Sequence, residues 1–206
     1  MIDQINNFFK SSGIYEAKYI YIYSDFIKFF TLVKKPEDGL RKILNLFLKR
    51  GITCITPSFS YTTSGKFDVC KTKSKVGFLS NYLIRSKKFS RTPHPIFSFV
   101  AIGKYKNILN KVGKSAFGKH SLHNILYKKN CYFLNFDRPL INGNTLIHHI
   151  EQKNNSKYRF EKVFKTKVYK NDKYLGEGFK AFVRKNMKNN YSLGTFKKAF
   201  KLINNE

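Results

Sequence analysis

Residues 17–57 read AKYIYIYSDFIKFFTLVKKPEDGLRKILNLFLKRGITCITP, and their reading decides the fold. Tyr19 to Tyr23 alternate aromatic and β-branched residues, the composition of a strand. Pro36, Glu37 and Asp38 then open a helical pattern in which Leu40, Ile43, Leu44, Phe47 and Leu48 recur at helical spacing. Lys49, Arg50 and Gly51 close it, so a helix with its start and stop signals lies between two strands. The second strand is the short apolar run ITCITP, 52–57. A strand, a crossover helix and a second strand predict an α/β fold, a central sheet flanked by helices.

The pattern continues outward. VGFLSNYLIRS (76–86) suits a helix, FSFVAIG (97–103) a strand, SLHNILYKK (121–129) a helix and CYFLNF (131–136) a second buried strand. After Gln152 the texture changes. Residues 159–185 alternate apolar and charged side chains on both sides of KND, which predicts a C-terminal antiparallel β-hairpin extension. A short amphipathic helix is expected in LGTFKKAFKLI, 193–203. No Pro/Gly-rich linker interrupts the chain, so residues 1–206 are read as one domain.

Composition narrows the function classes. The formal charge is +28, but the basic residues are 33 lysines and only seven arginines, spread along the whole chain. Scattered lysine without a recognisable reading motif makes specific nucleic-acid binding an alternative rather than the leading reading. The same field favours a small anionic ligand such as a nucleotide or coenzyme. Neither a signal peptide nor an eighteen-residue apolar run is present, so a cytoplasmic protein without membrane insertion is expected. Cys54, Cys70 and Cys131 form no C-x-x-C pair, and no disulfide framework or zinc site is expected.

Four polar segments stand between the elements: TPSFSYTTSGKFD (56–68), RTPHPIFS (91–98), SAFGKHS (115–121) and INGNTLIHHIEQ (141–152). The first is long for a plain connection and follows a strand, where α/β sheets build binding crevices. Two prolines fix the backbone on either side of His94. His148 and Glu151 are three residues apart and share one helical face, with Asn144 or Thr145 available as cap and His149 pointing elsewhere. Such a pair is either an ordinary surface hydrogen bond or a base with its supporting carboxylate. No further ligands stand at a spacing that suggests a metal.

Taken in order, TPSFSY, FDV, TKSKVGFLS, SRTPHPIFSFVAIG, SAFGKHSLHNIL, GNTLIHHIEQ and YR resemble the aminoglycoside 3-N-acetyltransferases over roughly residues 13–185. The resemblance implies transfer of acetyl from acetyl-CoA to an amino group on a sugar, without a metal. It implies His148 as general base, supported by Glu151. On the donor side it implies Ser24, His94 and Ser98 near the pantetheine or thioester, with Arg91 on a coenzyme phosphate. On the acceptor side Tyr61, Asp68 and Phe117 are the implied liners. Where that family usually carries His-Ser-Ser at the end of the first strand, this chain has Tyr23-Ser24-Asp25. It also stops where many relatives continue with a helical segment, so the acceptor pocket is expected to be more open or completed by a second subunit in a homodimer. With few acids to attract a polycationic antibiotic, a nucleotide-linked or glycan-precursor amino sugar is the favoured acceptor. The alternatives are a basic nucleic-acid-binding module and an inactive homologue serving as a binding protein.

Overall fold

A computed structural model describes residues 1–129, 131–138 and 145–186. Five strands form the central sheet: β1 (Tyr19–Ser24), β2 (Thr53–Pro57), β4 (Ser90–Arg91), β5 (Phe99–Ile102) and β6 (Cys131–Phe136), in the order β4-β5-β2-β1-β6. β1 runs parallel to both β2 and β6, while β5 runs antiparallel to β2 and β4, so the sheet is mixed. The helices are α1 (Ile2–Ser11), α2 (Ile27–Thr31), α3 (Pro36–Leu48), α4 (Phe78–Arg85), α5 (Leu122–Tyr127) and α6 (Leu146–Lys153). Among the described residues no helix is long and apolar enough to cross a membrane.

β1 is buried on both faces, and its alternation has a meaning the bare pattern does not carry. Ile20 and Ile22 face a layer built from Phe9 of α1, Leu40, Ile43, Leu44 and Phe47 of α3, and Leu79 and Leu83 of α4. Tyr19, Tyr21 and Tyr23 face the opposite layer, with Phe99, Leu122 and Leu126. Since strand side chains alternate by two, one strand thus divides the core into an aliphatic side and a side carrying phenolic hydroxyls.

Two expectations change in detail. CYFLNF is a strand, but β6 lies at the sheet edge, and Tyr132 and Phe133 are each 37% exposed. An apolar run marks a strand without marking its place in the sheet order. The C-terminal extension is antiparallel, but it is nested rather than one hairpin. β7 (Arg159–Phe164) pairs with β10 (Phe179–Arg184), and the tight hairpin is the inner pair β8 (Lys167–Lys170) and β9 (Lys173–Gly176). Asn171 and Asp172 turn it with φ of 49° and 66°, the left-handed values such a two-residue turn requires. β8 also pairs in parallel with β3 (Lys66–Asp68), which fastens the extension to the loop after β2. The helix expected at 193–203 lies outside the described residues.

Gly103 shows how closely β5 and β2 approach. Its φ is 123°, and a β-carbon there would stand 2.8 Å from Ile52 O and Thr53 Cα. Gly103→Ala should therefore destabilise the fold by roughly 1–3 kcal/mol, since the strain falls on backbone that cannot step aside. A shift of the urea midpoint at constant slope measures it, and an unchanged midpoint would contradict this packing.

Candidate active site

Helix α6 carries the central pair. His148 Nδ1 lies 2.8 Å from Glu151 Oε2, the i, i+3 contact that the spacing predicts. The turn before β7 and the first residue of that strand supply two further partners to the same carboxylate. Arg159 Nε stands 2.8 Å from Glu151 Oε2, and the Tyr158 hydroxyl donates to Oε1. The Arg159 N–H does not point along that line, so the contact acts as an ion pair rather than a linear hydrogen bond. Arg159 Nη1 donates to Phe182 O on β10 at 3.0 Å, which fixes the guanidinium.

The protonation state of His148 follows from these contacts. A carboxylate accepts only, so Nδ1 must carry the proton that bridges to Glu151. Arg159 Nη2, 3.1 Å from Nδ1, then meets a donor and cannot hydrogen-bond to it. Among the described residues Nε2 has no partner and keeps its lone pair. Burial pushes the His148 pKa below the ordinary histidine value. The Glu151 hydrogen bond opposes that shift, while the charges of Arg159 and Arg184 add to it. The imidazole is therefore neutral at pH 7 and able to accept a proton at Nε2.

A chain of aromatic contacts ties this pair to the loops. The Phe117 ring meets the His148 ring edge to face at 5.3 Å, Phe97 lies 5.2 Å from Phe117, and Tyr61 lies 6.1 Å from Phe97. Tyr61 remains 45% exposed at the end of that chain. Residues from the loops after β2 and β4 thus converge on α6.

Other residues singled out in the sequence make different contacts. His94 is buried with both ring nitrogens engaged by backbone: Nδ1 accepts from Ile96 N and Phe97 N, and Nε2 donates to Lys180 O. It ties the proline turn to β10 and has no ring atom left for a coenzyme. Arg91 is buried too. Its guanidinium donates to Ser58 O at 2.7 Å, Thr72 O at 2.6 Å and Val69 O at 3.3 Å. Its Nε reaches the hydroxyls of Ser58 and Ser98, and the Ser98 hydroxyl donates to Ser58 O. The group clamps the loop after β2, with all three of its nitrogens engaged by protein oxygens. The Asp68 carboxylate accepts from Cys70 N at 2.7 Å and Lys71 N at 3.0 Å, holding a turn. Ser24 stands half-buried at the end of β1, with Ser24 O beside Gly77 at the start of α4. Among the described residues its hydroxyl has no partner.

Tyr158, Arg159, Tyr23 and His123 were not marked as site residues by sequence. The Tyr23 hydroxyl accepts from Thr145 N at 2.9 Å and lies 2.5 Å from Thr145 Oγ1, so β1 holds the start of α6. His123 Nε2 joins Thr145 Oγ1 at 3.1 Å. Only Tyr158-Arg159 left a trace, as the last motif in the series of resemblances. Nothing in local spacing relates a strand opening to a helix seven or more residues earlier. His149 is buried, accepts from Gly118 N at 3.2 Å and stacks near His123, so it packs α6 against α5. Among the described residues no group of three His, Cys, Asp or Glu side chains is placed to hold a metal ion.

The sequence model of the aminoglycoside 3-N-acetyltransferase family matches residues 56–201. Among solved structures, the YokD protein from Bacillus subtilis is 17% identical with a TM-score of 0.75, over 98% of this chain and 86% of that one. Aminoglycoside acetyltransferase AAC(3)-IIb is 16% identical with a TM-score of 0.74, over 98% and 85%. AAC-IIIb, in a binary complex with CoASH, is 15% identical with a TM-score of 0.73, over 90% and 78%. At these identities the structures establish a shared fold. Comparison with curated proteins gives no match.

The charge relations around His148 can be read by NMR titration of its ring. Glu151→Gln should move the His148 pKa further down and Arg159→Leu should move it up, because the first removes a charge that favours the imidazolium and the second one that opposes it. Shifts of the same sign in both variants would refute this arrangement. Stability offers a second measurement. Burial lowers the pKa of His94 to about 4 and that of His123 to about 3, the latter helped by His149 and His148. The unfolded chain binds these protons near pH 6.5, so stability should fall as pH drops below that value. The slope should approach about 1.4 kcal/mol per pH unit for each histidine until its folded pKa is reached. Urea unfolding at pH 7.5 and 5 tests it, and equal stabilities would contradict two neutral buried imidazoles.

Proposed function

The chain belongs to the aminoglycoside 3-N-acetyltransferase family and is an acetyl-CoA-dependent N-acetyltransferase, and from that premise we propose that it acetylates an amino sugar carrying negative charge, with His148 as general base. The observation that carries this reading is the His148–Glu151 pair, bonded through Nδ1 so that Nε2 keeps its lone pair. An amine attacks a thioester only through a free lone pair, and the attack acidifies its remaining N–H. The N–C bond forms at the thioester carbonyl as Nε2 accepts that proton. The C–S bond then breaks, and the coenzyme thiolate leaves and is protonated. Glu151 stabilises the transient imidazolium, and Arg159 with Tyr158 holds Glu151 in place.

Of the four donor-side residues, Ser24 has a hydroxyl without a described partner. Arg91, His94 and Ser98 are engaged internally, so the coenzyme reading rests on Ser24 and on backbone groups of the loop they hold. On the acceptor side, Tyr61 offers an exposed ring for a sugar face, with Phe97 and Phe117 behind it. Among the described residues no acid near His148 stands ready for an ammonium group. Glu151 has three partners, Asp68 is held by backbone amides, and Glu161 pairs with Lys180 at 2.7 Å. A polycationic antibiotic has little to bind there, which supports the anionic amino sugar. The intact pair also favours an enzyme over an inactive homologue.

Incubation with labelled acetyl-CoA and a panel of amino sugars should give label transfer, strongest for acceptors bearing phosphate. His148→Ala should lower turnover about 10²–10⁴-fold with coenzyme affinity retained. His149→Ala should act on stability instead. Wild-type activity should decline as pH falls through the lowered pKa of His148, below the ordinary histidine range, and that limb should flatten in the alanine variant. Equal turnover in wild type and His148→Ala would sink the assignment.

A further inference from the structure

The extension sets two arginines opposite one another. In the β7–β10 register Arg159 faces Arg184, and residues directly opposed across an antiparallel pair have their side chains on the same face with Cα atoms about 5 Å apart. Like charges in that arrangement repel. Arg159 has a counter-charge in Glu151, at 2.8 Å. Arg184 is half-buried and has no partner among the described residues. The Glu151 carboxylate is already shared by His148, Arg159 and Tyr158, and it makes no contact with Arg184. One carboxylate therefore faces two guanidinium groups, and the excess grows when His148 takes a proton.

Resting on the acetyl-transfer reading above, we propose that Arg184 anchors a phosphate group of the acceptor amino sugar beside His148. A guanidinium offers two parallel N–H donors that match phosphate oxygens, and a partly buried one binds them more strongly than a surface lysine does. The anion offsets the surplus positive charge as the amine gives up its proton. Specificity and catalysis then meet at one charge: the sugar supplies the counter-ion that the protein omits. The groups facing His148 in this account are Glu151 and His149 on its own helix, Tyr158 in the turn before β7, Arg159 of β7, Arg184 of β10, and His123 of α5.

Glucosamine 6-phosphate and glucosamine are suitable probes, since they differ by the phosphate alone. Wild type should show a KM for the phosphorylated sugar about tenfold or more below that for glucosamine, the size of one charge-assisted contact. Arg184→Gln should close the gap and Arg184→Lys should keep part of it, with the KM for acetyl-CoA the same in all three. No preference in wild type would overturn the proposal. So would a raised KM for acetyl-CoA in Arg184→Gln, which would give the arginine to the coenzyme. A binding arm separates this idea from the reading beneath it. Inorganic phosphate, without coenzyme, should raise the His148 titration midpoint in wild type and not in Arg184→Gln. If that holds while no amino sugar is acetylated, the anion site stands and acetyl transfer falls. If sugars are acetylated and phosphate leaves His148 unmoved, the anchor alone is overturned.

Discussion

The half-buried carboxylate of Glu151 is the constraint around which α6 and the C-terminal extension are arranged. A charge partly withdrawn from water must be paired, and here its partners come from the helix and the segment after it: His148 on α6, Tyr158 in the turn before β7 and Arg159 at the start of β7. The C-terminal extension is thus tied to α6, because the guanidinium paired with Glu151 belongs to β7. In turn α6 is held at its start by Tyr23 of β1, so His148 stands between two strands of different sheets.

A second buried charge does the structural work on the other side. Arg91 gathers carbonyls of Ser58, Val69 and Thr72, and so folds the long loop after β2 against the sheet. Desolvation lowers its pKa to about 10, yet it remains charged at any physiological pH. The two arginines differ in their partners rather than in their burial. Arg91 satisfies backbone carbonyls and sets a shape, whereas Arg159 neutralises a carboxylate and leaves an imidazole poised. The loop that Arg91 sets carries Tyr61 and Phe59, and the aromatic chain through Phe97 and Phe117 delivers that shape to His148.

Much of the fold was legible in the sequence, because it rests on local periodicity. The alternation of β1, the capped pattern of α3, the short run of β2 and the Asn171-Asp172 turn each follow from residue type and spacing, and each has its element in the structure. The same locality made His148 and Glu151 readable as a pair, since i and i+3 share a helical face whatever the rest of the chain does. Their setting was not legible. Arg91, His94, Ser98 and Asp68 have the side chains of ligand-binding residues, and residue type alone cannot tell a free donor from one already bonded to a carbonyl or an amide.

What the sequence by itself determined is therefore the kind and order of the elements and the one contact of the proposed site, His148 with Glu151, that lies within a single helix. Tertiary structure alone decided the edge position of β6, the nesting of β8 and β9 inside β7 and β10, and the two partners, Tyr158 and Arg159, that Glu151 draws from beyond its helix. It also placed Tyr23, 122 positions from Thr145, at the start of α6. The physical reason is one of range. Backbone propensity and side-chain periodicity act over a few residues, whereas burial compels each polar group to find a partner wherever the packed chain provides one.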